Sequence, residues 1–382
     1  MREFNISTTI CFGKGSLDKL KEISEKRVFI ICDKFIETCG IANKVKEKLL
    51  NCEVFIFSEI IPDPTVEIIA LGVKQLELFK ADLIIAVGGG SSIDGAKAIR
   101  EYSKKLGESG NNHLDFYAIP TTSGTGSEVT EYAVITNAQE ELKYAIASKD
   151  LLPTVAILDV ELVKSVPKHI TADTGMDVIT HAIEAYVSKN ATDFTDALAE
   201  KAFSLAMEYL HKAYINGEDL EAREKLHNAS CLAGIAFNSA GLGITHSFAH
   251  AIGGKLHIPH GKINAIILPY VIKFNAELEN KLYIKEYGIP IKKYQKLSKI
   301  LDLNANNPIL AVNNLVKNIL ELQKKLLIPS NLIELGIDVD LIKKYKEDIF
   351  EAVEKDICTK SNPREILREN FETLFNEIIG IK

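Results

Sequence analysis

The chain has no excess of basic charge, no uninterrupted apolar run of about 18 residues and no paired cysteines, and each absence excludes a class of function. Lys and Arg number 45 against 52 Asp and Glu, a formal net charge of -7, and they are spread along the chain. That pattern gives no footprint for nucleic acid. Without a long apolar segment, and without a basic stretch leading into an apolar one near the N-terminus, no membrane association or export is expected and the cytoplasm is the expected location. The six cysteines, Cys11, Cys32, Cys39, Cys52, Cys231 and Cys358, show neither CxxC nor disulfide-framework spacing. They suit a reducing compartment and read as structural thiols. Internal repeats, low-complexity tracts and long flexible linkers are also missing.

What is present is the composition of an ordinary soluble enzyme, 46% hydrophobic and 25% charged over 382 residues. That length exceeds what one hydrophobic core usually supports, so two domains are expected. Short apolar runs recur in the first 160 residues: RVFIICD from Arg27, EVFIFS from Glu53, LIIAV from Leu83, FYAIP from Phe116 and VAIL from Val155. Buried parallel strands read this way, and helical patterns at Ile41 to Leu50 and Pro64 to Lys80 lie between them. The alternation predicts an α/β domain with a parallel, doubly wound sheet. Beyond Pro167 the pattern turns helical, as at Asp193 to His211, Leu220 to Asn238 and Asn306 to Lys325. The expected division is therefore an α/β domain over 1–167 and an all-α domain over 168–382, with Pro167 interrupting the pattern.

Gly88-Gly89-Gly90-Ser91-Ser92-Ile93-Asp94 follows one of the buried strands and opens a helical run. Glycines there let backbone approach a pyrophosphate, and a helix N-terminus supplies unpaired N–H groups and a favourable dipole. It is not a GxGxxG fingerprint, and a tight structural turn is the competing reading. A second polar turn, Pro120 to Glu128, follows FYAIP. Ligands bind at the carboxyl ends of strands in open α/β sheets, so both turns can line one cleft. Asp33 also ends a strand, where its carboxylate would accept bonds from ribose hydroxyls and repel a 2'-phosphate; a helix N-cap is the equally good alternative on spacing.

Four of the nine histidines, His246, His250, His257 and His260, fall within fifteen residues. His246 and His250 share a helical face, as do Asp177 and His181 upstream, and imidazole is the commonest transition-metal ligand. Burying such a cluster among small and apolar residues without a cation would be costly. Spacing alone does not choose between His246 and His250, or between His257 and His260. The isolated His113, His169, His211 and His227 are expected to be satisfied core histidines.

Taken together, GGGSSIDGAK at Gly88, PTTSGTGSEVT at Pro120, GMDVITHAIEAY at Gly175, GLGITHSFAH at Gly241, PHG at Pro259 and NPRE at Asn362 resemble the iron-dependent, group III alcohol dehydrogenases over essentially the whole chain. ICDKF, FSEIIPDPT, DFTDALAEKA and HNASCLAGIAF are similar to the 1-propanol dehydrogenases of propanediol-utilisation microcompartments. The resemblance implies a dehydroquinate-synthase-like fold with a metal, ferrous iron or else zinc, in a cleft between the two domains. Its metal ligands fall on Asp177, His181, His246 and His260, and His250 becomes the histidine facing nicotinamide and substrate. Its NAD(H) positions fall on Asp33, Asp63, Gly89, Gly90, Ser91, Asp94, Thr121, Thr122, Thr125 and Lys143.

The implied reaction is hydride transfer between NAD(H) and a short-chain primary alcohol or aldehyde, propionaldehyde and 1-propanol foremost. Lactaldehyde/1,2-propanediol or butanol oxidoreduction is the alternative; a dehydroquinate-synthase-like lyase and a noncatalytic scaffold with structural metal stand further off, the latter because structural zinc favours cysteine and none joins the cluster. A homodimer is implied, with an aldehyde dehydrogenase or a microcompartment shell protein as a further partner. One departure follows PHG, where relatives commonly carry a small or apolar pair and this chain has Lys262-Ile263. It is expected to alter cation access at the cleft mouth and substrate preference.

Overall fold

The computed structural model describes residues 3–106, 114–137, 142–278 and 288–381. His113 lies outside them. The chain forms two compact units, one of Met1–Val166 with Gly217–Asn238 and the other of Pro167–Asn216 with Ser239–Lys382.

The first unit is built on a six-stranded sheet ordered β1-β8-β5-β4-β2-β3, every pair parallel. The strands are β1 (Thr9–Phe12), β2 (Ser24–Asp33), β3 (Asn51–Ile60), β4 (Leu83–Gly88), β5 (Asp115–Pro120) and β8 (Val155–Leu158). Their runs of β-branched residues are buried on both faces. Val28, Ile30 and Cys32 enter one core with Leu83, Ile85 and Ile119, while Phe29 and Ile31 enter another with Ile84, Phe116 and Ile99. Helices α1 (Lys34–Thr38), α2 (Ile41–Lys46), α3 (Val66–Phe79) and α4 (Gly90–Leu106) connect these strands. An antiparallel hairpin, β6 (Tyr132–Asn137) with β7 (Leu142–Ala147), adds a second small sheet. Neither the hairpin nor β1 has a counterpart in the sequence reading, because their residues mix polar and apolar types and lack the continuous apolar run by which buried strands are read.

The segment Gly217–Asn238 differs from the expected division at 167/168, since most of α7 (Leu220–Ala240) packs with the first unit. Two glycines permit it. A Cβ at Gly126 would lie 2.7 Å from Gly234 Cα, and one at Gly234 would lie 2.9 Å from the Gly126 carbonyl oxygen. Helix pattern alone carries no information on which core a helix joins.

Described by itself, the second unit contains α5 (Lys168–Val187), α6 (Asp193–Ile215), α8 (Ile244–Leu256), α9 (His260–Asn275), α10 (Ile289–Ile300), α11 (Pro308–Lys325), α12 (Val339–Lys344), α13 (Lys346–Lys355) and α14 (Arg368–Ile379). Thr192 and Thr195 form a capping box that starts α6, and the Asn307 side chain caps α11. Sixteen residues of α5, beginning at Thr171, are buried, so this helix is the unit's central element. Among the described residues no helix is long and apolar enough to cross a membrane.

Candidate functional site

In the first unit the three candidate turns leave the sheet side by side. Gly88 pairs with Pro120 across β4 and β5, the Thr121 N–H donates to the Gly88 carbonyl at 3.0 Å, and β2, which ends in Asp33, flanks β4 on its other side. The chain runs from β2 outward to β3 and returns to β4, so the sheet's switch point falls between Asp33 and the glycine turn. This is where open α/β sheets bind nucleotides. Gly88 has φ of 151°, and a Cβ on Gly90 would come within 2.7 Å of Thr125, so side-chain-free backbone is required at this turn. Gly89 faces Thr122 in the same way, at 3.3 Å. Ser91 stands in the first turn of α4, with its N-terminus at the switch point.

Asp33 does cap α1, its Oδ1 accepting from the Ile36 N–H at 2.9 Å, while Oδ2 accepts from Ser92 at 3.4 Å. Asp94 accepts from Ser127 Oγ at 2.6 Å and from the Val134 N–H at 3.0 Å, so it ties α4 to the second turn and the hairpin. Asp63 is exposed, in the turn between β3 and α3, with a φ of 54°. Lys143 stands opposite Thr136 in the hairpin, and its side chain lies outside the described residues.

The second unit gathers the other candidates. Asp177, His181, His246 and His260 each offer a ligand atom, and these atoms lie within 4.8 Å of one another. Asp177 and His181 come from one face of α5, His246 from the first turn of α8 and His260 from the first residue of α9. His246 Nε2 and His260 Nε2 stand 3.8 and 3.7 Å from Asp177 Oδ1, and His181 Nδ1 stands 4.0 Å from Oδ2. An ion bonded to each at roughly 2.0–2.2 Å needs donors about 3.3–3.6 Å apart, a small contraction of what is observed. His246 Nε2 is buried and has no hydrogen-bond partner. Burial, then the neighbouring imidazoles, push His246 well below its ordinary range, so it is neutral and able to ligate. Burial acts to raise Asp177, but the three imidazoles and Asn264 hold it below the usual carboxylate range. The residues fit a divalent transition metal. Three of the four are buried, whereas the His260 side chain is 41% exposed, so the centre opens on that side.

His250 lies beside this centre, its ring stacked on that of His260 at 5.4 Å between centroids. Its Nδ1–H donates to Asp356 Oδ2 at 2.8 Å. Burial acts to raise Asp356, but the bond from His250, together with its charge and the Cys358 N–H, holds it down at about 2. The carboxylate therefore keeps the proton on Nδ1 and leaves His250 Nε2 without it. Ser247 and the Cys358 N–H also bond Asp356, at 3.3 and 2.8 Å.

The sequence reading missed several contributors. Glu184 bonds His246 Nδ1 at 2.7 Å, and Asn264 donates to Asp177 Oδ1 at 2.8 Å. Glu184 repeats the face of Asp177 at i+7, a signal that was present. Asp356 lies 106 residues from its histidine and had none. The four-donor group contains no cysteine, and Cys358 falls instead within 4.8 Å of ligand atoms on His250 and Asp356, in a separate group. Exposed His257 ends α8 in a left-handed conformation and is not among the ligand group. Among the described isolated histidines only His227 is buried, its Nδ1 bonded to Ser123 at 3.0 Å and its Nε2 without a partner; His211 is half-buried and His169 exposed, because both sit on outward faces. The Lys262 ammonium lies 3.6 Å from Asp173, so its charge is neutralised within the helical unit.

Comparison with known proteins adds to this geometry. Residues 7–160 match the family model described as iron-containing alcohol dehydrogenase, and residues 171–379 match that of the Fe-containing alcohol dehydrogenase family, C-terminal. The chain is 41% identical to 1-propanol dehydrogenase PduQ of Citrobacter freundii over 99% of its own length and 100% of that protein's. It is 40% identical to an NADPH-dependent butanol dehydrogenase of Clostridium saccharobutylicum, covering 98% and 97%. Among solved structures, a 1,3-propanediol oxidoreductase superposes with a TM-score of 0.89 at 30% identity, covering 99% and 100%.

Proposed function

The chain belongs to the iron-containing alcohol dehydrogenase family, and from that membership we propose that it interconverts propionaldehyde and 1-propanol with NAD(H), holding ferrous iron on Asp177, His181, His246 and His260. As a family member it is an oxidoreductase of alcohols and aldehydes. The observation that supports metal-assisted chemistry is the donor set itself, and the 1-propanol reading rests on the similarity to 1-propanol dehydrogenase PduQ. One carboxylate and three neutral imidazoles leave a divalent ion with net positive charge, and no cysteine completes a closed structural shell. When bound, the ion supplies Lewis acidity towards a carbonyl or alcohol oxygen, and the nicotinamide supplies or accepts hydride.

The protein's own residues do the rest. Exposed His260 and His250 mark the side from which a small aldehyde reaches the centre. With Nδ1–H fixed on Asp356, His250 Nε2 exchanges a proton with the alcohol oxygen or positions the nicotinamide. The glycine turn, Thr121, Thr122 and Thr125 cradle the pyrophosphate, and Asp33 selects NAD over NADP by opposing a 2'-phosphate. The similarity to an NADPH-dependent butanol dehydrogenase makes that selectivity the sharpest part of the proposal. Size and partners follow the resemblance: a homodimer, working beside an aldehyde dehydrogenase or shell protein of a microcompartment.

The test uses anaerobically purified protein, stripped of metal and reloaded with Fe²⁺ or Zn²⁺, assayed for NADH and NADPH oxidation with propionaldehyde, butyraldehyde and lactaldehyde. Fastest metal-restored turnover with propionaldehyde and NADH is expected. A lactaldehyde or butyraldehyde preference moves the substrate, equal efficiency with NADPH removes the role of Asp33, and no turnover with any aldehyde removes the dehydrogenase reading.

A further inference from the structure

We infer that Glu184 is a positioning residue of the metal centre, locking His246 in the tautomer that offers Nε2 to the ion; the inference rests on the metal reading of the four-donor set. The carboxylate is buried and surrounded by donors. Oε2 accepts from the Gly243 N–H at 2.8 Å and faces His246 Nδ1 at 2.7 Å, and Oε1 accepts from the Thr245 N–H at 2.7 Å. Gly243 makes room for it, since a Cβ there would lie 2.8 Å from Oε1.

The proton's place follows. Both carboxylate oxygens already accept backbone N–H groups, and the N-terminus of α8 favours negative charge beside it. An unprotonated His246 Nδ1 would set its lone pair against the carboxylate oxygen at 2.7 Å, and would leave an Nε2–H buried without an acceptor. With the proton on Nδ1 the imidazole donates to Glu184, and Nε2 carries a free lone pair 3.8 Å from the liganding oxygen of Asp177. The same bond fixes the ring plane. Because Glu184 lies on α5 with Asp177 and His181, one helix holds two ligands and orients a third.

Capping of α8 alone is the competing role, and it predicts a different outcome. Full-length protein, metal-free, is titrated with Zn²⁺ against a chromophoric chelator as wild type, Glu184→Gln, His246→Ala and the double variant, with the thermal midpoint of each metal-free protein recorded. Glu184→Gln is expected to weaken Zn²⁺ binding about 10–100-fold, the usual effect of losing an outer-shell partner. The same substitution in the His246→Ala background is expected to change affinity little. Equal loss in both backgrounds, or unchanged affinity in Glu184→Gln, overturns the inference while the metal reading stands. A wild type that binds no ion overturns both. If Glu184→Gln does not fold, ¹⁵N NMR of wild-type His246 decides: a protonated Nδ1 is expected, and a protonated Nε2 overturns the assignment.

Discussion

At the scale of single residues, the proposed function gives two histidines beside the four-donor group separable tasks. His260 belongs to the ligand group, and His250 is turned instead towards Asp356. His260→Ala is expected to lose metal and activity together, with a larger fall in affinity than the ~10–100-fold typical of an outer-shell change. His250→Ala is expected to keep the metal and lower kcat by about 10²–10⁴, the range for a proton-transfer group. Metal content by elemental analysis alongside turnover separates them. A His260→Ala protein that turns over without metal, or a His250→Ala protein that loses its metal, reverses the assignments. The choice was not legible in spacing. His246 and His250 share a helical face, and what divides them is Glu184 against one ring and Asp356 against the other.

Among elements, α7 shows what a sequence pattern withholds. Its helical character is plain, yet its partner is decided by two glycines: Gly126, with φ of 62°, and Gly234, which meets it at backbone distance. Gly126→Ala combines left-handed backbone strain of about 1–2 kcal/mol with overpacking of about 1–3 kcal/mol. A lower thermal midpoint and faster proteolysis within Gly217–Asn238 are expected. The second turn should be disturbed as well, because Ser123 is bonded to His227 on α7, so NADH affinity measured by fluorescence should fall. Unchanged stability and affinity would show that the turn tolerates the methyl by moving. The β6–β7 hairpin makes the same point: Asp94 and buried Lys97, both on α4, hold its backbone through Val134 and Tyr132, contacts no local pattern announces.

For the whole molecule, buried titratable groups outside the metal centre set the pH dependence of stability. Burial pushes His227 down to about 4, against an ordinary value of 6.5 in the unfolded chain. Between those values the unfolded chain binds a proton that the folded chain does not, so this group makes stability fall as pH drops from 6.5 towards 4. Glu128, pushed up to about 7 by burial, acts oppositely between 4.5 and 7, because there the folded chain holds the proton. His227→Gln is therefore expected to change the slope of unfolding free energy by about one proton, ~1.4 kcal/mol per pH unit, over pH 4–6.5. Urea unfolding of both proteins across that range measures it, and parallel slopes would show that His227 is charged when folded. By itself the sequence determined the class of each half, five of the sheet's six strands, the glycine turn after β4 and the pool of candidate metal donors, because buried strands, tight turns and helical faces are written in local residue type and period. Only the tertiary structure decided which core receives α7, how Gly88 meets Pro120, and which carboxylate stands behind each histidine. Those are contacts between positions tens to more than a hundred residues apart, and packing fixes them where no local preference reaches.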